Sequence, residues 1–304
     1  MATPPNTLKA AVIQHHIDTP EGTQKRLEHL ITQAAQQGAE LILLPELHDH
    51  PYFCQTEETR FFDLAEPIPG PTTQQLSNWA KLHKTVIVGS VFEKRMTGVY
   101  HNTAVVLDAD GRLAGTYRKM HIPDDPNFYE KFYFTPGDAN PGFQPIQTRI
   151  GRLGVLVCWD QWYPEAARLM ALAGADLLLY PTAIGWTPED TDDEKQRQQH
   201  AWQTIQVSHA IANHVPVLSA NRWGHEPDPS SNTSGIDFWG HSFITGPQGN
   251  LLAKATAQED HVLMSELPLN QTTELRQIWP FFRDRRIDAY DHLTKRVIEP
   301  KISL

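Results

Sequence analysis

The sequence predicts an α/β fold, specifically a four-layer α-β-β-α sandwich with an internal pseudo-two-fold duplication. The main observation is a repeated segment: Gly38-Ala-Glu-Leu-Ile-Leu-Leu-Pro45 and Gly174-Ala-Asp-Leu-Leu-Leu-Tyr-Pro181 are nearly the same and begin 136 positions apart. An amphipathic pattern at helical spacing precedes each segment, and each glycine is suited to end that helix before a continuously apolar strand. Two such units in one chain predict two similar sheets, packed face to face with helices outside.

The first half of the chain is predicted to contain a strand, a helix, two further strands and a hairpin. The first strand is placed at 8–14. The helix is indicated by five apolar residues on one face: Leu27, Leu30, Ile31, Ala34 and Ala35. The repeated segment supplies the second strand, and 85–92 supplies the third. A hairpin is predicted at 104–113, because its Asp-Ala-Asp-Gly111 sequence has the glycine that such turns favour.

The second half is predicted to repeat this order. A strand at 153–157 leads to a helix that is expected to begin at Pro164 and to end at Gly174. The repeated segment again supplies the second strand. The third strand is placed at 215–220, and a hairpin with Gly249 in its turn follows it.

Three segments interrupt the repeat, and they are predicted to be long loops: 116–145, 183–200 and 223–238. Loops of this length in a compact domain are usually functional. Residues 1–304 are predicted to form a single domain, with a tail at about 280–304 that wraps the surface or a neighbouring subunit. Two separate Rossmann-like domains are the alternative, but no linker-like composition separates the halves and no Gly-x-Gly-x-x-Gly follows a strand.

The composition narrows the classes of partner. A net charge of −10 without a basic cluster argues against nucleic acid and favours cationic small molecules. No apolar run approaches the roughly 18 residues of a membrane span, so no membrane contact is expected.

Two cysteines, Cys54 and Cys158, are too few for a disulfide framework, which indicates a reducing, cytoplasmic location. The fifteen histidines show no metal-binding spacing, so neither a metal nor another cofactor is expected.

Three polar residues lie at or just beyond the ends of predicted strands, where α/β folds place reactive groups. Glu46 follows Leu-Ile-Leu-Leu-Pro45, Lys119 follows the hairpin strand, and Cys158 follows Leu-Val. A cysteine between a strand and a helix start is a candidate nucleophile. A glutamate beside it is a candidate general base, and a lysine beside it is a candidate partner for an oxyanion. Considered separately, Cys158 could be a packed hydrophobic residue, Glu46 a member of a structural ion pair, and Lys119 an exposed surface residue.

These residues and their neighbours resemble the Glu-Lys-Cys triad of the nitrilase, or carbon–nitrogen hydrolase, superfamily. The matching motifs are Leu-Pro-Glu46-Leu, Tyr-Arg-Lys119-Met-His and Val-Cys158-Trp-Asp, and Glu130 in Phe-Tyr-Glu-Lys matches the second glutamate of that family. The resemblance extends from residue 8 to about 290. It implies the same sandwich fold and a cysteine-dependent amidohydrolase that needs no metal.

The resemblance also implies a mechanism. Glu46 would remove the thiol proton of Cys158, and the thiolate would attack the carbon of the substrate. The oxyanion would lie between the Lys119 ammonium and the backbone N–H of Trp159, and Glu46 would then activate water. Glu130 would hold the lysine and help to orient the substrate.

A narrower resemblance suggests the substrate. Lys-Met-His-Ile-Pro-Asp-Asp, Glu-Lys-Phe-Tyr-Phe-Thr-Pro-Gly-Asp and Cys-Trp-Asp-Gln-Trp-Tyr-Pro-Glu-Ala-Ala-Arg are similar to the branch that cleaves N-carbamoylputrescine to putrescine, carbon dioxide and ammonia, in polyamine biosynthesis from agmatine. The alternative is a carbamoylase for N-carbamoyl amino acids or N-carbamoyl-β-alanine, or another aliphatic amidase. A catalytically silent interaction protein on the same fold is a third hypothesis, which the complete set of four residues disfavours.

Substrate contacts are predicted near the lysine and the cysteine. A desolvated cationic tail needs an anionic or aromatic partner. The candidates are Asp124, Asp125, Tyr129, Trp159 and Trp186, and each could instead be a loop residue, a helix cap or part of the core. The predicted partners are thus a small N-carbamoyl amine and, because the family commonly assembles, further copies of the chain in a homo-oligomer.

Overall fold

Two six-stranded sheets face each other in the computed structural model, which describes residues 5–299. The strands are β1 Leu8–Gln14, β2 Leu41–Leu43, β3 Val86–Met96, β4 Val99–Leu107, β5 Leu113–Arg118, β6 Ile146–Thr148, β7 Gly151–Val155, β8 Leu177–Thr182, β9 Gly185–Trp186, β10 Val217–Asn221, β11 Trp223–Glu226, β12 Ile236–Trp239, β13 Phe243–Thr245, β14 Leu251–Lys254 and β15 His261–Leu267. The helices are α1 Pro20–Gln36, α2 Pro71–His83, α3 Glu130–Tyr133, α4 Pro164–Leu172, α5 Asp192–Asn213 and α6 Gln271–Ile278. Short 3-10 helices lie at Phe53–Gln55, Thr59–Leu64, Cys158–Trp162, Ile287–Ala289 and Asp291–Thr294.

The two large sheets have the same order and the same strand directions. The first is β15-β1-β2-β3-β4-β5, and the second is β6-β7-β8-β10-β13-β14. In each sheet the second, third and fourth strands are parallel, whereas the strand before them and the hairpin after them are antiparallel. The predicted duplication is therefore present strand by strand, since β1, β2 and β3 correspond to β7, β8 and β10.

The strands divide their side chains between two layers of core, as the two-residue period of a strand requires. In β1, Ala10 and Val12 belong to the central cluster that also contains Leu153 of β7. Ala11 and Ile13 point the other way and pack with the apolar face of α1. Helices α1 and α2 cover the first sheet, and α4 and α5 cover the second. The predicted four-layer sandwich is confirmed.

Helix α4 approaches the second sheet closely because Gly154 of β7 has no side chain. A Cβ at this position would lie 3.2 Å from the Cβ of Met170 and 2.8 Å from a methyl carbon of Leu178. A larger residue would therefore push α4 away from the strand that leads to Cys158.

Two of the three segments predicted to be loops contain regular structure. Strands β9, β11 and β12 form a small antiparallel sheet, in the order β11-β12-β9, and α5 begins at Asp192. The sequence does not reveal these strands, because two to four residues are too few for a clear alternation of apolar and polar side chains. The third segment, 116–145, is mostly irregular and contains only the end of β5 and the one-turn α3.

The last described segment, which follows α6, contains two of the short 3-10 helices. The final five positions of the predicted tail, 300–304, lie outside the described residues. The assignment of 1–304 to a single domain stays a prediction. Between residues 5 and 299, no helix combines the length and the apolar character that crossing a bilayer requires.

Candidate active site

Glu46 lies just beyond the carboxyl end of β2 and is completely buried. One carboxylate oxygen, Oε1, accepts hydrogen bonds from Asn102 Nδ2 at 2.7 Å and from Lys119 Nζ at 2.8 Å. The other oxygen, Oε2, accepts the backbone N–H of Ala183 at 2.9 Å. A buried carboxylate is unfavourable unless its oxygens are paired. These three donors therefore fix the position of the side chain.

Lys119 immediately follows β5, and its side chain is also completely buried. Its ammonium lies 2.8 Å from Glu46 Oε1 and 2.6 Å from Glu130 Oε2. Burial by itself lowers the pKa of Lys119, but the carboxylates of Glu130 and Glu46 outweigh this effect and hold the pKa well above its usual value. The lysine is therefore a fixed cation beside the glutamate that follows β2.

Glu130, the first residue of α3, provides the second anchor for this ammonium. Its Oε2 accepts from Lys119, and its Oε1 accepts the Tyr52 hydroxyl at 2.7 Å. Burial raises the pKa of Glu130 to about 7; the Lys119 ammonium opposes this shift and the Glu46 carboxylate adds to it. The side chain can therefore hold or release a proton near neutral pH.

Cys158 begins the 3-10 helix after β7, and its φ of 45° lies in the left-handed region. Such a conformation persists only where the surroundings enforce it, and it is concentrated at functional sites. The sulfur lies 3.8 Å from the carbonyl oxygen of Ala183, the residue whose N–H binds Glu46. Burial, followed by the Glu46 carboxylate, raises the pKa of the Cys158 thiol well above its usual value, although Lys119 opposes them. The resting cysteine is a thiol, so a nucleophilic role for its sulfur would require a base.

Asp160 holds the turn that carries Cys158. Its Oδ2 accepts the backbone N–H of Val157 at 3.0 Å. Its Oδ1 accepts the backbone N–H of His121 at 3.0 Å and lies 2.6 Å from His121 Nδ1. Because His121 belongs to the segment that follows β5, this one carboxylate joins the cysteine turn to the segment that carries the lysine.

A cavity of about 420 Å³ opens beside Cys158 and Glu130. Four aromatic and four further polar side chains contribute to its wall: Phe128, Trp159, Trp162, Trp239, Asp125, Thr187, Asp190 and Gln198. Its volume suits a small molecule, and apolar walls with a few polar groups are typical of ligand sites.

The structure brings together most of the residues that the sequence predicted for the site. Glu46, Lys119, Glu130 and Cys158 converge, and Trp159 and Asp125 lie in the cavity wall.

Two predicted substrate-binding residues, Tyr129 and Trp186, lie outside the wall of this cavity. The Tyr129 N–H donates to the carbonyl oxygen of Cys54 at 2.8 Å, and the Trp186 indole donates to the carbonyl oxygen of Lys195 at 3.0 Å. Asp124 is exposed and lies 3.8 Å from Lys131 Nζ. The positions of these residues follow from the packing of short strands and irregular segments, which the sequence does not specify.

Sequence reasoning missed several residues that complete the site. Asn102 had a usable signal, because His-Asn-Thr is a polar group inside the otherwise apolar β4. Asp190 and Gln198 had none, since they lie far along the chain from the catalytic motifs and reach the cavity only through the packing of α5.

Comparisons with known proteins agree with this geometry. A sequence model of the carbon-nitrogen hydrolase family matches residues 9–277. The chain is similar to N-carbamoylputrescine amidase of Solanum lycopersicum, with 45% identity over 86% of each chain. It is also similar to the citrullinase of Francisella tularensis, with 39% identity over 95% of this chain and 99% of the relative. The crystal structure of a carbon-nitrogen hydrolase from Helicobacter pylori G27 superimposes with a TM-score of 0.93 and 51% identity, covering 96% of this chain and all of that one.

Proposed function

The chain belongs to the carbon–nitrogen hydrolase family and is an amidohydrolase of linear amides; on this premise we propose that its substrate is N-carbamoylputrescine. The reaction yields putrescine, carbon dioxide and ammonia, and it supplies polyamine biosynthesis from agmatine. One observation carries the proposal: Cys158 shares its cavity with Asp125 and Asp190, and the wall, as far as residues 5–299 form it, contains no lysine or arginine.

In the acylation step, Glu46 takes the proton of the Cys158 thiol while the sulfur attacks the ureido carbon. The carbonyl oxygen becomes an oxyanion, which the Lys119 ammonium and the backbone N–H of Trp159 stabilise. Losing one such donor typically lowers the rate by about 10²–10³. As the tetrahedral intermediate collapses, Glu46 returns its proton to the departing nitrogen.

Water completes the reaction, again with Glu46 as the base. It attacks the carbon of the thioester-like intermediate and releases the thiol of Cys158. Whichever nitrogen departs first, hydrolysis leaves a carbamic acid, which loses carbon dioxide and frees the other amine. Glu130 keeps the Lys119 ammonium in place through both steps, which is supported by the 2.6 Å contact between them.

Charge in the cavity wall supports a substrate with a cationic tail. The ionisable side chains of the wall are Asp125, Asp190, Glu130 and Cys158, all of which are acids. The ring of Trp159 can cover the methylene groups of a diamine, and an aromatic face also attracts an ammonium group.

A ureido amino acid such as citrulline is the second candidate, because the citrullinase of F. tularensis aligns with nearly the whole chain. Citrulline also presents a ureido group at the end of an aliphatic chain, but it carries an additional carboxylate. In this wall the carboxylate would be desolvated without a cationic partner, which costs several kcal/mol. N-Carbamoyl-β-alanine and other N-carbamoyl amino acids meet the same obstacle.

Ammonia release from N-carbamoylputrescine, citrulline and N-carbamoyl-β-alanine, measured in parallel, tests the proposal. We expect kcat/KM for the first to exceed the others by at least about 100-fold, equivalent to about 2.7 kcal/mol. Cys158→Ala serves as the inactive control. Turnover of none of the three would refute the proposed substrate class, and a preference for citrulline would establish the second candidate.

The proposal also includes a homo-oligomer in the cytoplasm. Support for an oligomer comes from apolar side chains exposed at the end of the described chain: Ile278, Trp279, Phe281, Ile287, Leu293, Val297 and Ile298. Extended apolar patches on a protein surface usually mark interaction sites. Cys54 and Cys158 are free thiols, which suits a reducing compartment.

A further inference from the structure

Arg222 lies next to the catalytic residues, directly after β10, and its side chain is completely buried. Its Nη2 donates to the carbonyl oxygens of Glu46 and Leu47, at 2.8 and 2.7 Å. Its Nη1 donates to Glu226 Oε1 at 2.8 Å and to the carbonyl oxygen of His50 at 3.2 Å. A buried guanidinium needs partners for its charge and its donors. Here three of the partners are backbone groups of the loop that begins with the proposed base.

The backbone that Arg222 binds is strained at Leu47, the residue after Glu46. The φ of Leu47 is 45°, in the left-handed region that side chains other than glycine disfavour. Its N–H donates to Ser90 Oγ at 3.0 Å, and its carbonyl oxygen accepts from Arg222. Without the second of these bonds, Leu47 can relax toward an ordinary φ, and the peptide that carries Glu46 rotates with it.

The carboxylate that pairs with Arg222 leads to the second catalytic glutamate. Glu226 Oε2 accepts the backbone N–H of Tyr52 at 2.6 Å, and the Tyr52 hydroxyl donates to Glu130 Oε1 at 2.7 Å. The Lys119 ammonium then donates to both Glu130 and Glu46. Hydrogen bonds, joined by the covalent frames of Tyr52 and Glu46, therefore connect Arg222 with both glutamates that bind Lys119.

We propose that Arg222, fixed by Glu226, is the positioning residue for Glu46. Arg222 is not part of the cavity wall, so it acts through the backbone from which the glutamate projects. The two terminal nitrogens of its planar guanidinium fork bind four acceptors at once: the carbonyl oxygens of Glu46 and Leu47 through Nη2, and Glu226 and the His50 carbonyl oxygen through Nη1. A lysine, with a single nitrogen and three donors, cannot reproduce this set. The inference rests on the proposed role of Glu46 as the general base.

Arg222→Lys tests this role because it keeps the positive charge and removes the fork. We expect kcat to fall by about 10- to 100-fold, the usual effect of a small misplacement of a catalytic group, with KM changed by less than about twofold. Arg26→Lys is the matched control, since Arg26 forms a fork with Asp18 and Asp260 on the outside of the first sheet. The control should retain the wild-type kcat. An Arg222→Lys variant with the wild-type kcat would overturn the proposal.

A second variant addresses folding. Arg222→Met combined with Glu226→Gln removes both charges together, so no unpaired buried ion remains to unfold the protein. We expect this double variant to fold and to lose about 100-fold in kcat, again without a matching change in KM. A folded double variant with the wild-type kcat would contradict the positioning role. If the double variant does not fold, the kcat of Arg222→Lys alone tests that role.

The rate at which iodoacetamide alkylates Cys158, followed by the mass of its peptide, needs no substrate. It therefore separates this inference from the proposed function. Glu46→Gln removes a carboxylate that raises the pKa of the Cys158 thiol, which by itself would speed alkylation. Because the variant also removes the proton acceptor, and this loss should outweigh the lower pKa, we expect Glu46→Gln and Arg222→Lys to slow alkylation together. If Glu46→Gln leaves the rate unchanged or raises it, the proposed base is wrong. If Glu46→Gln slows alkylation and Arg222→Lys does not, only the positioning role is wrong.

Discussion

In the active site, one ammonium lies between two buried carboxylates. Lys119 balances the charge of only one of them, so Glu46 and Glu130 together leave an excess negative charge where water is excluded. That excess is consistent with the raised pKa of Glu130, about 7, and with the still higher pKa of Cys158, both caused first by burial. Proton transfer from the thiol is consequently unfavourable without a positioned base, and the lysine offsets the charge that this transfer creates.

At this scale, Glu130 should make the protein less stable as the pH rises. Its pKa changes from 4.5, the ordinary value, to about 7 in the folded protein, so between these values the folded state keeps a proton that the unfolded state releases. Its contribution is complete below about pH 4.5 and is lost as the pH approaches 7. In urea unfolding, Glu130→Gln should show a shallower pH dependence than the wild type. Glu28→Gln, exposed on α1, is the control, and equal slopes in the wild type and Glu130→Gln would contradict the prediction.

A second residue-scale prediction concerns the cavity wall. Asp190→Asn and Asp125→Asn each remove a carboxylate that can pair with the ammonium of the substrate, so KM for N-carbamoylputrescine should rise by about tenfold while kcat changes little. Asp124→Asn is the matched control, because that carboxylate lies outside the cavity wall, beside Lys131. Steady-state measurements of kcat and KM for the three variants and the wild type test this prediction. An unchanged KM in both wall variants would exclude these two carboxylates as the partners of the tail.

At the scale of the elements, the two repeated glycines have the same conformation. Gly38 follows α1 with a φ of 88°, and Gly174 follows α4 with a φ of 91°. Both have the left-handed conformation in which a helix commonly ends, and each releases the chain into a central parallel strand. The local chain reversal, rather than a contact with the active site, explains why both halves of the sequence place a glycine here.

Gly38→Ala and Gly174→Ala should therefore each lower the free energy of unfolding by about 1 kcal/mol, with kcat unchanged. The effect should be somewhat larger at Gly174, where a Cβ would lie 2.5 Å from the movable Arg152 guanidinium, than at Gly38, where the nearest atom is 3.8 Å away. Urea unfolding measures both, with the exposed Gln36→Ala as a control that changes stability by less than about 0.5 kcal/mol. Stability equal to the wild type in both glycine variants would disprove the helix-ending role.

At the scale of the whole molecule, the distribution of exposed apolar residues is uneven. Several lie in the last described segment, after α6, and α4 adds Leu169 and Leu172. Exposed apolar side chains are normal one at a time, but a contiguous group favours association. None of these residues contributes to the wall of the active-site cavity, so association through them need not block the substrate.

Sedimentation of the protein should consequently show a species larger than the 34.4 kDa chain. Ile287→Asp should shift the population toward the monomer, because a charge in a buried interface is unfavourable. Leu82→Asp is the matched control, since Leu82 is exposed to the same extent, 71%, on α2 at the outside of the first half. A monomeric wild type at micromolar concentration would refute the proposed oligomer, and an equal effect of both substitutions would refute this interface.

Much of the molecule could be predicted from the chain alone. The apolar runs and the repeated glycines predicted two similar sheets and the order of the central strands and of helices α1 and α4 along the chain, because these elements have a period that local sequence displays. The motifs around Glu46, Lys119, Glu130 and Cys158 predicted four residues that the structure brings together.

The sequence by itself thus determined the duplicated sandwich and the chemical groups of the active site, since both are encoded in short stretches of chain. Only the tertiary structure decided that Asp190, rather than Tyr129 or Trp186, lies in the cavity wall, and that the Arg222 guanidinium binds the backbone carbonyl oxygen of Glu46. The physical reason is that side-chain directions in very short strands and irregular segments follow from packing between elements, as do contacts such as the one between Arg222 and Glu46 across 176 positions. No local pattern of residues records that packing.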